Sequence, residues 1–128
     1  MSNRNPHELF VTGESLAAAH LTKQGFNVIA RNFRSPYGEV DIIATIQNCL
    51  VFVEVKTRKQ HSMVTALASI SSRKQKNISL TASYYINQNP EFDNFNTRFD
   101  VIVVFYFPND DTYKIHHFDD AFLPVWDY

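Results

Sequence analysis

Apolar residues recur along this chain with two different periods, and the changes of period divide it into elements. Between Pro6 and Gln24, the residues Phe10, Glu14, Ala17, Ala18 and Leu21 share one stripe of a helix, which Gly25 ends. Phe26 to Phe33 (FNVIARNF) reads as a strand and leads into a turn at Pro36-Tyr37-Gly38. Glu39–Ile46 and Leu50–Thr57 are two further strands, and the short Gln47-Asn48 link between them makes them antiparallel neighbours.

Residues 59–70 lack a clear period and read mostly as loop. Ser72 is a suitable N-cap for a helix reaching about Asn87, with Lys74, Ile78, Ala82, Tyr85 and Ile86 along one side. Asn89-Pro90 breaks it. Arg98–Phe107 (RFDVIVVFYF) is a long apolar strand, expected to be central and covered on both faces. Tyr113–Phe118 is a last strand, suited to a sheet edge. The order helix, three strands, helix, two strands predicts an α/β domain spanning residues 1–128, with a mixed sheet flanked by helices.

Composition narrows the function classes. The 128 residues are 45% hydrophobic with only 3 Gly, which excludes collagen-like, low-complexity and disulfide-scaffold chains. A glycine-rich phosphate loop is absent, so dinucleotide or P-loop binding is not expected. The single cysteine, Cys49, lies in an apolar run and reads as a buried, inert thiol. No apolar stretch is long enough to span a membrane and the N-terminus lacks a secretory core, so a cytoplasmic location is expected. The net charge of −1 hides a polarity: residues 1–76 hold ten Lys and Arg against five acids, and residues 77–128 hold two against eight. That pattern suits a basic working face, and equally an ordinary solvated surface.

The chemistry concentrates on the strand pair. Alternation in LVFVEVKTR puts Val51, Val53 and Val55 on one face and Phe52, Glu54 and Lys56 on the other. In the preceding strand Val40, Ile42, Ala44 and Ile46 share a face, with Asp41 opposite, alongside Glu39 and Ile43. A hairpin can bring Asp41 close to Glu54. Two carboxylates about 4 Å apart repel by about 4 kcal/mol at an effective dielectric near 20. Such a pair calls for a proton, a base or a cation, and Mg²⁺ or Mn²⁺ suits carboxylate and carbonyl oxygens. Glu14 is on the inward stripe of the first helix, where a carboxylate without a partner is costly. Singly, each of these residues has a bland reading: a strand Glu-x-Lys is commonly a cross-strand ion pair, and a helical Glu can satisfy a backbone amide. Together, among aliphatics, they are hard to explain as surface decoration.

At these residues the chain resembles a known family. GES-LAAAHLTKQGF, ARNFRSPYGEVDIIA, LVFVEVKTR, RKQ and RFDVIVV are similar to the blocks of the YraN-like family of small bacterial proteins, in order and spacing, across roughly residues 8–107. That family resembles the PD-(D/E)xK nucleases, and among them the archaeal Holliday-junction resolvases. The resemblance implies a restriction-endonuclease-like αβββαβ core. It implies that Asp41 and Glu54 are metal ligands with the carbonyl of Val55 as a third, that Lys56 is the motif lysine, and that Glu14 supports the metal directly or through water. It places Gln75 where polar residues assist the site or the DNA. Val40 stands where the motif has its proline, which the metal chemistry does not use. The implied reaction is metal-dependent hydrolysis of DNA phosphodiester bonds, with branched or structured DNA as a candidate substrate. The alternative is a module that binds nucleic acid or a partner on the same fold without turnover.

The cations placed to contact DNA are Arg31, Arg34, Arg58, Lys59, Arg73, Lys74 and Lys76. Arg98 and Asp100 are suited to a structural ion pair. His116 and His117 are adjacent on a strand and point to opposite faces, and His7, His20 and His61 lack partners at zinc spacing. The C-terminal FLPVWDY offers packing surface for the domain or for a second copy, and a homodimer would suit branched or duplex DNA.

Overall fold

The computed structural model describes residues 4–59 and 70–125. Helix α1 (Pro6–Lys23) is followed by β1 (Asn27–Ser35), β2 (Gly38–Ile46) and β3 (Cys49–Lys59). Then come α2 (Ser72–Gln88), a 3-10 turn (Pro90–Phe92), β4 (Asn96–Phe107) and β5 (Thr112–Phe118). The strands form one sheet in the order β1-β2-β3-β4-β5. All neighbours are antiparallel except β3 and β4, which run parallel and are joined through α2. This mixed sheet with its two helices is a restriction-endonuclease-like α/β core.

Local signals explain the helix ends. Asn5 caps α1 in a reciprocal box: its side chain accepts from the Glu8 amide, and the Glu8 carboxylate accepts from the Asn5 amide. Gly25 ends the helix at φ +96°, and the Phe26 amide returns to the Leu21 carbonyl at 2.9 Å. For α2 the cap is Ser71, one residue before the serine expected: its Oγ accepts from the Lys74 amide at 3.2 Å. The segment expected as loop lies almost wholly outside the described residues.

The sheet is buried on both faces. Ala17 and Leu21 of α1 pack on Ile42, Val51, Val53, Ile102 and Val104. Ile78 and Ala82 of α2 pack on Val40, Ile43, Leu50, Phe52 and Phe99. β4 lies between β3 and the edge strand β5 rather than at the centre, and it is buried from Phe99 to Tyr106, as its unbroken apolar run requires. Phe122 stacks on Phe99 at 5.1 Å, so the C-terminal tail packs on its own domain at least that far.

Three expectations are corrected. Phe10 is 43% exposed, because the inward stripe of α1 runs through Leu9, Gly13, Glu14, Ala17 and Leu21, one position round the helix. Cys49 is half-buried, because it opens β3 at the hairpin corner beside the Gln47-Asn48 turn. Val40 leaves the face of Ile42 and Ala44 and joins the α2-side cluster. The break falls where Asn32 of β1, at φ +53°, lies across from Asp41, between the pairs Arg31–Ile42 and Phe33–Val40.

Candidate functional site

The β2–β3 ladder ends at the pair Ile42–Val53, one residue short of Asp41. Beyond it the two strands part, and the Asp41 side chain occupies the gap. Its Oδ2 accepts from the Val55 amide at 2.7 Å, replacing the ladder bond that β2 no longer provides. The carbonyl of a strand residue projects from the same edge as its amide, so the Val55 carbonyl faces this gap too. Asp41 is buried, and its carboxyl is pushed up to about 8. Burial is the main cause and the neighbouring Glu54 carboxylate the second, while the Val55 amide works the other way.

Glu54 and Lys56 share the α2 side of β3, as their spacing predicts, and both are buried. Lys56 Nζ lies 3.2 Å from Glu54 Oε2, and Lys74 Nζ, from the first turn of α2, lies 2.6 Å from the same oxygen. Burial lowers the Lys56 ammonium below its ordinary range, and the nearby Lys74 adds to this. Burial also works against charge on Lys74, but its contact with Glu54 prevails and raises it. The lysine on the solvent side is therefore the more firmly charged of the two.

Glu14 stands behind this group. It is only 2% exposed, its Oε2 has no hydrogen-bond partner, and the Arg31 guanidinium lies 3.9 Å from its Oε1. Burial raises its carboxyl, Asn32 and Arg31 oppose the rise, and Glu54 adds to it. Glu14 feels the other acids but does not line the cleft in front of them. Gly13 sets its depth: a Cβ there would run into the Thr57 hydroxyl, so only glycine lets α1 lie this close to β3.

The cleft, about 840 Å³, is walled by Pro6, Leu9 and Phe10 of α1, Gly38, Glu39 and Asp41 of β2, Glu54 to Lys59 of β3, the cap Ser71, and Arg73, Lys74, Asn77 and Ile78 of α2. Arg58, Lys59, Arg73 and Lys74 are thus brought to it. The remaining expected contacts lie elsewhere. Arg34 pairs with Glu39 at 3.0 Å and is 84% exposed. Arg31 leans toward Glu14, and Lys76 is not part of the lining. Gln75 is turned away: its amide donates to the Ile70 carbonyl at 3.2 Å, and it lines a second cavity of about 540 Å³ under Val101 and Phe122.

The donors present fit a hard divalent cation. Asp41 and Glu54 offer carboxylate oxygens and Val55 a carbonyl, while the buried Glu14 Oε2 has no hydrogen-bond partner. Among the described residues, no three His, Cys, Asp or Glu side chains are grouped to hold a metal. A cation held there would find two carboxylates and a backbone carbonyl, and water would have to fill its remaining positions.

Sequence spacing missed two features. The helical stripe puts Lys74 with Ile78 and Ala82 and among the DNA-contact cations, but nothing in the spacing pairs it with Glu54. The second is a chain of polar groups on the α1 side: His20 Nε2 meets His117 Nδ1 at 3.1 Å, and His117 Nε2 meets Asp100 Oδ2 at 2.8 Å. Arg98 grips Asp100 through two bonds of 2.9 Å, the expected ion pair, and the Asp120 amide donates to it at 3.0 Å. Those partners hold the Asp100 carboxyl below its usual range against the effect of burial. His116 points the other way, against Phe105. His61 lies outside the described residues.

Comparison with known proteins places the chain in one family. The model of an uncharacterised protein family, UPF0102, matches residues 13–104. A UPF0102 protein of Clostridium botulinum (strain Alaska E43 / Type E3) is 41% identical over 109 residues, covering 85% of this chain and 88% of that protein. One from Caldicellulosiruptor bescii is 39% identical over 110 residues, covering 86% and 92%. One from Caldanaerobacter subterraneus subsp. tengcongensis is 35% identical over 123 residues, covering 95% of this chain and 100% of its own length. No helix among the described residues is long and apolar enough to cross a membrane. On this match, and with the block pattern and fold already described, the chain belongs to the UPF0102, YraN-like family.

Proposed function

We propose that this protein is a divalent-metal-dependent endonuclease that hydrolyses DNA phosphodiester bonds, with branched or structured DNA as its substrate class. One observation carries the reading. Two buried carboxylates, Asp41 and Glu54, meet beside Lys56 where two strands part, at the floor of a cleft walled by Arg58, Lys59 and Arg73. A structural ion pair needs only one acid and one base. A second buried acid held 2.7 Å from a backbone amide, with its charge disfavoured, is poorly explained by stability alone.

Each group has a task. The Val55 amide fixes the Asp41 carboxylate in one orientation. Lys56, anchored on Glu54, presents its ammonium to charge developing on a phosphate or to an attacking water. Asp41, Glu54 and the Val55 carbonyl would hold Mg²⁺ or Mn²⁺. When bound, such an ion polarises the phosphate and lowers the pKa of a water. Arg58, Lys59 and Arg73 flank the floor and suit the backbone phosphates of a strand lying in the cleft.

The test is cleavage of duplex, flapped and four-way DNA with Mg²⁺ or Mn²⁺. Hydrolysis should require the metal, and Asp41→Asn and Glu54→Gln should each reduce it by about 100-fold or more. Equal cleavage by both variants would exclude the site. Salt-sensitive DNA binding with no cleavage under any divalent ion would instead establish the non-catalytic module.

A further inference from the structure

Two ammonium groups share one oxygen at the floor of the cleft. Lys56 Nζ and Lys74 Nζ lie 3.2 and 2.6 Å from Glu54 Oε2. Their settings differ. Lys56 belongs to the same strand as Glu54, and its side chain is 10% exposed. Lys74 reaches down from α2, and its side chain is 40% exposed at the cleft wall. The backbone of Lys74 is fixed by the Ser71 cap, but its four-carbon stem has open cleft in front of it.

A divalent ion ligated by Glu54 would sit about 2.1 Å from a carboxylate oxygen. A nearby ammonium at 2.6 Å already competes for that oxygen's lone pairs, and it repels an incoming cation through the short, partly dry distance between them. Of the two lysines, the exposed one can move aside without leaving an ammonium buried and unpaired.

Resting on the nuclease reading, we propose that Lys74 is a built-in counter-ion, holding Glu54 in the metal-free protein and displaced by the entering divalent cation. Loading the site is then an exchange of cations. The freed Lys74 ammonium turns into the cleft, where Arg58 and Arg73 already line the path suited to phosphates. The competing idea is that Lys74 positions Glu54 for ligation and stays in place. The two differ in sign: removing a competitor tightens metal binding, whereas removing a positioning group weakens it.

The experiment is Mn²⁺ titration of the full chain without DNA, followed by calorimetry or water-proton relaxation. The proteins compared are the unmodified one, Lys74→Met, Lys74→Gln and Lys23→Met, the last removing one charge outside the cleft. Thermal unfolding checks that each is folded. Both Lys74 variants should bind Mn²⁺ more tightly, on the order of tenfold, while Lys23→Met stays within about twofold. Unchanged or weaker binding in the Lys74 variants, with Mn²⁺ still bound by the unmodified protein, overturns the displacement and leaves the nuclease reading standing. No Mn²⁺ binding by any of them overturns both.

Discussion

Asp41 is held where its charge is opposed by burial and by Glu54, so it stabilises the metal-free fold only while protonated. Its folded-state value of about 8 lies above the unfolded value, so between about pH 4 and 8 the folded state binds more protons. The stability this provides is complete below the unfolded value and is lost as pH rises through about 8. Asp41→Asn keeps the acceptor for the Val55 amide and removes the charge. It should stabilise the metal-free protein at pH 8 by about 1–3 kcal/mol and flatten that pH dependence, while abolishing metal affinity. Chemical denaturation of both proteins from pH 5 to 9 measures it, and an Asn variant that is less stable at pH 8 would refute the assignment. At this scale Glu54 and Lys56 were legible from alternation alone, because β3 is regular. Lys74 was not legible as their partner, because its contact with Glu54 is made only when α2 docks.

Among the elements, α1 and the β1–β2 ribbon decide where the acids stand. Gly13 brings α1 against Thr57, and that close approach buries Glu14 near the other carboxylates. Gly13→Ala should cost about 1–3 kcal/mol through overpacking, despite the better helix propensity of alanine. Adding Thr57→Ala should recover part of the loss, since it removes the hydroxyl that the new methyl meets. Denaturation midpoints of the two variants check this, and a neutral Gly13→Ala would mean that α1 rides higher on the sheet. The helices and strands themselves were readable in the chain, from the apolar stripe, the two-residue hairpin and the Asn89-Pro90 break. The capping box Asn5-Pro6-His7-Glu8 was also there to be read. The local departures were not. Val40 joins the α2-side cluster opposite a strand where Asn32 has a positive φ, and simple alternation along β2 has no means of reporting a departure from regular backbone.

Across the whole molecule the charge polarity of the sequence acquires a place. Five cations from residues 1–76, Lys56, Arg58, Lys59, Arg73 and Lys74, line the cleft, while Asp119 and Asp120 lie beyond β5 near the Asp100 cluster. That cluster ties the end of α1 to β4 and β5 through His20 and His117, away from the parting of β2 and β3. The Arg98–Asp100 pair is legible from spacing, but the contacts of His20 with His117 and of His117 with Asp100 are not, because only the folded sheet makes them neighbours. The same holds for the position of Gln75, which the resemblance put at the site and which faces the other cavity.

The most direct measurement is a crystal of this protein grown with Mn²⁺ and examined by anomalous scattering. One strong peak is expected in the gap between β2 and β3, within bonding distance of Asp41, Glu54 and the Val55 carbonyl. A protein that takes up Mn²⁺ at another place, or shows no peak between those two carboxylates at millimolar metal, would contradict it.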